Sequence, residues 1–145
     1  MADLRVPEGY HAATPYLGVQ GATKLIDFMK EVFGAEEMLR MPMPDGSVGH
    51  AELKVGDSII MTGDADEFRP MVYLYVDDVD AAYQRALRAG ATSMREPADQ
   101  FYGDRNAQVK DPLGNVWFIA THTQDVPQDE QLKRFEAMVK QEAQT

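Results

Sequence analysis

The feature that most constrains this chain is an internal repeat with a period of about 56 residues. Tyr16-Leu17-Gly18-Val19 aligns with Tyr73-Leu74-Tyr75-Val76. Each is a short apolar run followed by a helix-like stretch, Ala22 to Phe33 in one copy and Val79 to Arg88 in the other. These stretches end in Gly34-Ala35 and Gly90-Ala91, and Met38 then falls against Met94. Further on, His50-Ala51-Glu52-Leu53-Lys54 matches Asn106-Ala107-Gln108-Val109-Lys110. Both copies close on a glycine, a polar residue and an apolar strand, with two extra residues in the second copy, within Asp111-Pro112-Leu113. Collinear agreement across four blocks is the signature of a duplicated supersecondary unit.

Each copy reads as β-α-β-β-β, an α+β class. In the first, Tyr16 to Val19 is a strand. Ala22, Leu25, Ile26, Met29 and Phe33 recur three or four apart, which predicts an amphipathic helix with Gly34 as its C-cap. Glu37 to Met43 is a strand, Pro44-Asp45-Gly46 a hairpin turn, and Val48 to Val55 alternates as a half-buried strand. Gly56-Asp57 turns into a last strand, Ser58 to Thr62. Asp64 to Pro70 reads as the linker between copies. The acids of Asp77-Asp78-Val79-Asp80 read as helix-capping and dipole-matching groups rather than a cation site. Beyond a loop at Thr123 to Gln128, Leu132, Phe135, Met138 and Val139 share one face of a final helix over Asp129 to Ala143.

Charge narrows the partners. Against 14 Lys plus Arg stand 24 Asp plus Glu, a net of −10. Such a chain repels nucleic acid and anionic lipid, and a neutral or cationic small ligand is the easier guest. There is no cysteine, which removes disulfides, thiolate metal sites and cysteine nucleophiles. Met1 to His11 holds no apolar stretch, so it is not read as a signal peptide, and no run of about 18 apolar residues spans a membrane. A cytoplasmic location is expected. No Gly-x-Ser-x-Gly elbow, Gly-x-Gly-x-x-Gly or P-loop occurs.

Tandem β-α-β-β-β units with Val-Asp-Asp-Val-Asp-Ala-Ala (Val76 to Ala82) and Asp-Pro-Leu-Gly-Asn (Asp111 to Asn115) resemble the glyoxalase / bleomycin resistance / extradiol dioxygenase superfamily, the vicinal oxygen chelate fold. Gly103-Asp104-Arg105 and Ala120-Thr121-His122 extend the likeness to a subgroup of small glyoxalase-like members. It covers about residues 12 to 125, as modules 12–66 and 67–125, leaving 126–145 as the C-terminal helix. The resemblance implies modules that pair their sheets into an incomplete barrel around a ligand cavity, and a homodimer. It also implies that metal-dependent members carry His, Gln or Glu near the start of each module's first strand and in its last strand. Counting along the strands puts those positions at Thr14, Met71, Ile60 and Phe118, none a good ligand for a borderline divalent metal.

Three readings stay open at this point, the third being a cavity-poor structural or regulatory dimer. The first is a metal-independent small-molecule binder without a cofactor, comparable to members that sequester an antibiotic. Its cavity wall would hold Tyr16, His50, Glu52, Ile60 and Thr62 from the first module. From the second it would hold Tyr73, Tyr75, Asn106, Gln108, Phe118 and Ala120, with Tyr102 and Arg105 at the mouth. The second is a lyase, isomerase or dioxygenase using a divalent metal held by His50, Glu52 and His122. His50 and Glu52 are two apart on one strand and so share a face, and the pair could also serve as a metal-free general base. Trp117 is expected to anchor the helix layer.

Overall fold

The computed structural model describes residues 5–143. Residues 1–4 of the N-terminal segment and 144–145 after the final helix lie outside the described residues. The described residues form β1 (Ala13–Val19), α1 (Ala22–Phe33), β2 (Glu36–Pro42), β3 (Val48–Val55), β4 (Ser58–Asp64), β5 (Arg69–Tyr75), α2 (Val79–Arg88), β6 (Thr92–Asp99), β7 (Asp104–Lys110), β8 (Val116–His122) and α3 (Gln128–Ala143). They divide into two compact units. One comprises residues 16–69 and 126–143; the other comprises residues 5–15 and 70–125.

In the first unit the strand order is β2-β3-β4-β1, with β4 and β1 parallel and the other pairs antiparallel. The apolar stripe of α1 covers one face. Ala22, Ile26 and Met29 meet Val48, Ala51 and Leu53 in a closed cluster. Ile26 and Leu53 are fully buried, a gain of about 1.5–3 kcal/mol for each. Gly34 ends the helix at φ 66°, a left-handed conformation that suits glycine. On the other side of the sheet, α3 packs against β2. Its Phe135 ring lies so close to Gly49 that a β-carbon there would come within 2.7 Å of it.

The second unit repeats the plan as β5-β8-β7-β6, with β5 and β8 parallel. Val79 and Tyr83 of α2 close over Ala107, Val109 and Ile119, and Trp117 flanks them as the expected anchor. The Trp117 indole N–H donates to Asp111 at 3.0 Å. The same carboxylate accepts the backbone N–H groups of Leu113 and Asn115, both at 2.9 Å, so the Asp-Pro-Leu-Gly-Asn turn is a structural clasp. With the Trp117 bond as the largest cause, these bonds hold the Asp111 carboxyl at about 2.

The repeat extends to a tethering device. Gly21 precedes α1 and has no side chain to cap it. Asp64, at the end of β4, accepts from Gly21 N at 2.9 Å and Ala22 N at 3.0 Å, and from Val48 N at 2.7 Å. Thr121, in β8, likewise accepts from Val79 N at 2.9 Å and donates to the Val76 carbonyl at 3.0 Å. Each module thus satisfies the orphan N–H groups of its helix from its own last strand. The linker is correspondingly shorter than predicted, because Asp64 closes β4 and Arg69 opens β5. The acids before α2 have separate tasks. Asp78 caps through Ala81 N, Asp77 pairs with Arg5 and Asp80 with Arg105.

Two expectations about strand faces need correction. Ile60 lies opposite Leu53 and packs against the α1 cluster, and Thr62 lies opposite Ala51 and donates to the Leu17 carbonyl. Both therefore face the helix. Met61 is the residue across from Tyr16 and Glu52, and it matches Phe118, which lies across from Tyr73 and Gln108. Burial of β4 on both faces hides the alternation that would have set the phase. Arg105 also turns to the helix side. It grips Asp80 with Nε at 2.8 Å and Nη2 at 2.9 Å, and reaches Asp99, instead of standing at a cavity mouth.

Candidate functional site

Each sheet turns polar and aromatic residues to the face away from its own α1 or α2. In the first unit this face carries Tyr16, His50 and Glu52. The Tyr16 hydroxyl is 3.1 Å from His50 Nδ1, and His50 Nε2 is 2.8 Å from Glu52 Oε2. The two side chains of the His–Glu pair are 21% and 13% exposed. Burial pushes the His50 imidazole down to about 4, so it is neutral at pH 7. One consistent assignment has Tyr16 donating to Nδ1 and Nε2–H donating to Glu52. Leu39 lies opposite Glu52 and Met41 opposite His50, and both are buried.

The second unit carries a larger network. Asp104 is 3% exposed. Its Oδ2 accepts the hydroxyls of Tyr73 at 2.7 Å and Tyr75 at 2.9 Å, and its Oδ1 lies 2.8 Å from His122 Nδ1. His122 Nε2 lies 2.7 Å from Asp125. Burial opposes the imidazolium, but the bonds to Asp104 and Asp125 outweigh it and raise the His122 pKa. Asn106 is fully buried and donates to Tyr102 at 2.7 Å and Tyr73 at 2.9 Å. Its carbonyl accepts from Arg95 Nη2 at 2.7 Å. The Arg95 guanidinium sits 5.6 Å above the Phe118 ring, whose centroid is 5.2 Å from that of Tyr73 in a stacked pair. Gln108 is half-buried beside them, and among the described residues its side chain reaches only the thioether of Met71, at 3.7 Å.

Strand register explains the assembly. Arg95 lies across from Gln108, Gln108 across from Phe118, and Phe118 across from Tyr73, one row over four strands. Asn106 and Ala120 form the next row with Tyr75, and Asp104 pairs with His122 beyond them. A register shift between Ser93 and Arg95 puts Arg95 in this row. Ser93 accepts a bond from Tyr83 of α2, whereas Arg95 points to Asn106 on the opposite face. Such a bulge re-aims a side chain. On the α2 side of the same unit an apolar hollow of about 220 Å³ opens among Leu74, Ala86, Val109, Pro112, Trp117 and Ile119, apart from this polar row.

Of the predicted wall residues, Tyr16, His50 and Glu52 come together in one unit, and Tyr73, Tyr75, Tyr102, Asn106, Gln108 and Phe118 share a face in the other. Arg95 and the central role of Asp104 were missed. The repeat held the signal: at 56 residues' offset Arg95 falls on Leu39 and Asp104 on Val48, a charge in each case where the other copy is aliphatic.

A model of the glyoxalase/bleomycin resistance protein/dioxygenase superfamily matches residues 11–119. The chain belongs to that superfamily. An uncharacterised protein from Mycobacterium bovis is 37% identical over 82% of this chain and 88% of its own. A protein from Staphylococcus aureus shares the fold with a TM-score of 0.62 at 16% identity, over 78% of this chain and 97% of that one. A superfamily member from Vibrio splendidus 12B01 does so with 0.58 at 18% identity, over 74% and 96%.

The superfamily implies a metal in its catalytic members, and the residues here do not fit one. The corresponding positions hold Thr14, Met61, Met71 and Phe118, which offer a hydroxyl, two thioethers and a phenyl ring. His50 and His122 each have both ring nitrogens engaged, so coordination by either would break a bond already made. Among the described residues no three His, Cys, Asp or Glu side chains group so as to hold a metal ion.

Proposed function

We propose that this superfamily member binds a small molecule without a metal, on the sheet face of its second unit that lies away from α2. The observation that supports this most is the row of Arg95, Gln108 and Phe118, where two donor-rich side chains stand next to an aromatic ring. Arg95 is exposed, and Gln108 and Phe118 are half-buried. A few convergent polar groups among rings are what a small-molecule site needs. Behind the row, the Asp104 network locks Tyr73, Tyr75 and Asn106 in place, which is preorganisation. The −10 net charge speeds the approach of cations, while Arg95 sets the opposite sign at the face itself.

We extend this reading to a homodimer. Phe28, Val32 and Phe33 of α1 are each more than half exposed, which favours a covered surface in solution. Light scattering after size exclusion tests it, and a monomer mass at high concentration refutes it. For the binding reading, thermal-shift screening against metabolites and cationic antibiotics should raise the melting temperature with at least one compound. NMR shifts should map to Gln108, Phe118 and Tyr102. A ligand whose shifts fall elsewhere overturns the assignment of the face.

A further inference from the structure

We infer that Arg95 is the recognition group for an organic carboxylate, a conclusion that deepens the binding reading above and rests on it. Three observations carry it. First, the guanidinium meets the neutral Asn106 carbonyl and lies over the Phe118 ring. Among the described residues it forms no ion pair, in a chain with ten more acids than bases. Second, Asn106 takes one Nη2 proton, which leaves the rest of the planar fork to a second partner. A planar guanidinium fork presents paired N–H donors in the geometry of a carboxylate. Third, both copies of the repeat carry a register shift at this place, Glu37/Leu39 and Ser93/Arg95. The first copy uses it to point Leu39 into a buried position, 7% exposed. The second copy uses the same device to hold a cation at the surface. Packing alone is served by leucine, so the charge has another purpose.

Gln108 supplies the neighbouring donor. It stands directly across from Arg95, and among the described residues its amide reaches only a sulfur, a weak acceptor. A carboxylate on Arg95 would offer it a better partner. The nearby acid, Asp104, is already engaged by Tyr73, Tyr75 and His122, so it does not claim the guanidinium.

The test uses benzoate and phenylacetate, their neutral amides, and inorganic phosphate, titrated into the full-length protein. The readout is the NMR signals of Arg95 Nε–H and the Gln108 side-chain amide. Both signals should shift with the carboxylates, more weakly at high salt, and the Kd for each carboxylate should be at least tenfold lower than that for its amide. Arg95→Leu, the residue of the other copy, should abolish the difference between acid and amide. Arg95→Lys should keep a salt-dependent remnant, and it guards against a folding defect in the leucine variant. Equal binding of acid and amide at these signals overturns the carboxylate assignment while leaving the binding face intact. Phosphate binding as tightly as the carboxylates overturns it in favour of a general anion site. If acids and amides both leave the signals unmoved, the inference fails, and silence of the whole face to the metabolite screen takes the binding reading with it.

Discussion

The carboxylate of Asp104 joins His122 of the neighbouring strand at 2.8 Å, and both side chains are almost completely buried. That pair, with two tyrosine hydroxyls on the other oxygen, fixes side chains from β5, β7 and β8 through one group. Removing one member of a buried pair leaves the other uncompensated. Asp104→Ala is expected to cost about 3–5 kcal/mol in urea unfolding. The tyrosine fluorescence of the native state should change as well.

The His122 pKa is raised on folding, so the folded chain holds a proton that the unfolded chain gives up more readily. This contribution is complete below the ordinary histidine value of about 6.5 and is lost as pH rises through the folded value. Unfolding free energy measured between pH 5 and 9 (roughly the range over which histidine shifts are resolved) should fall on the alkaline side. His122→Gln should flatten that fall.

His50 works in the opposite sense. Its folded value is about 4, below its ordinary 6.5. Its contribution is present above 6.5 and is lost as pH drops toward 4. Imidazole NMR titration should show His50 neutral at pH 7 with the proton on Nε2, and His50→Gln should soften the acid limb of the stability curve.

Asp64 and Thr121 tether equivalent helices. Asp64→Ala and Thr121→Val should each cost about 1–2 kcal/mol, the usual loss for a helix cap. The two share no partner, so the double variant should show the sum within about 0.5 kcal/mol. Chemical denaturation checks both statements.

Gly49→Ala should destabilise by about 1–3 kcal/mol through overpacking, because its new methyl meets the Phe135 ring and lies 3.1 Å from the Met41 carbonyl. Combined with Phe135→Leu, the cost should be smaller than the sum of the two, read from a double-mutant cycle.

Much of the architecture was legible because it depends on local periodicity. The stripe from Ala22 to Phe33 and the Asp78 cap define α1 and α2 to the residue. What failed was phase. Ile59 and Met61 are apolar like Ile60, so nothing local says which of them faces the helix. Arg95 was invisible for a related reason, since a register shift breaks the two-residue alternation on which a strand reading rests. The partners of Arg105 lie 25 and 6 residues away, on α2 and β6, and only the tertiary fold selects them over the adjacent Asp104.

The helix that packs on β2 consists of residues 128–143, yet β2 itself is residues 36–42. A ribosome therefore emits β2 long before this helix exists. At elongation rates of about 5–20 residues per second, that strand waits several seconds with its apolar side bare. The nascent chain is most exposed to aggregation in that interval, and a stop codon anywhere before Gln128 would make the exposure permanent.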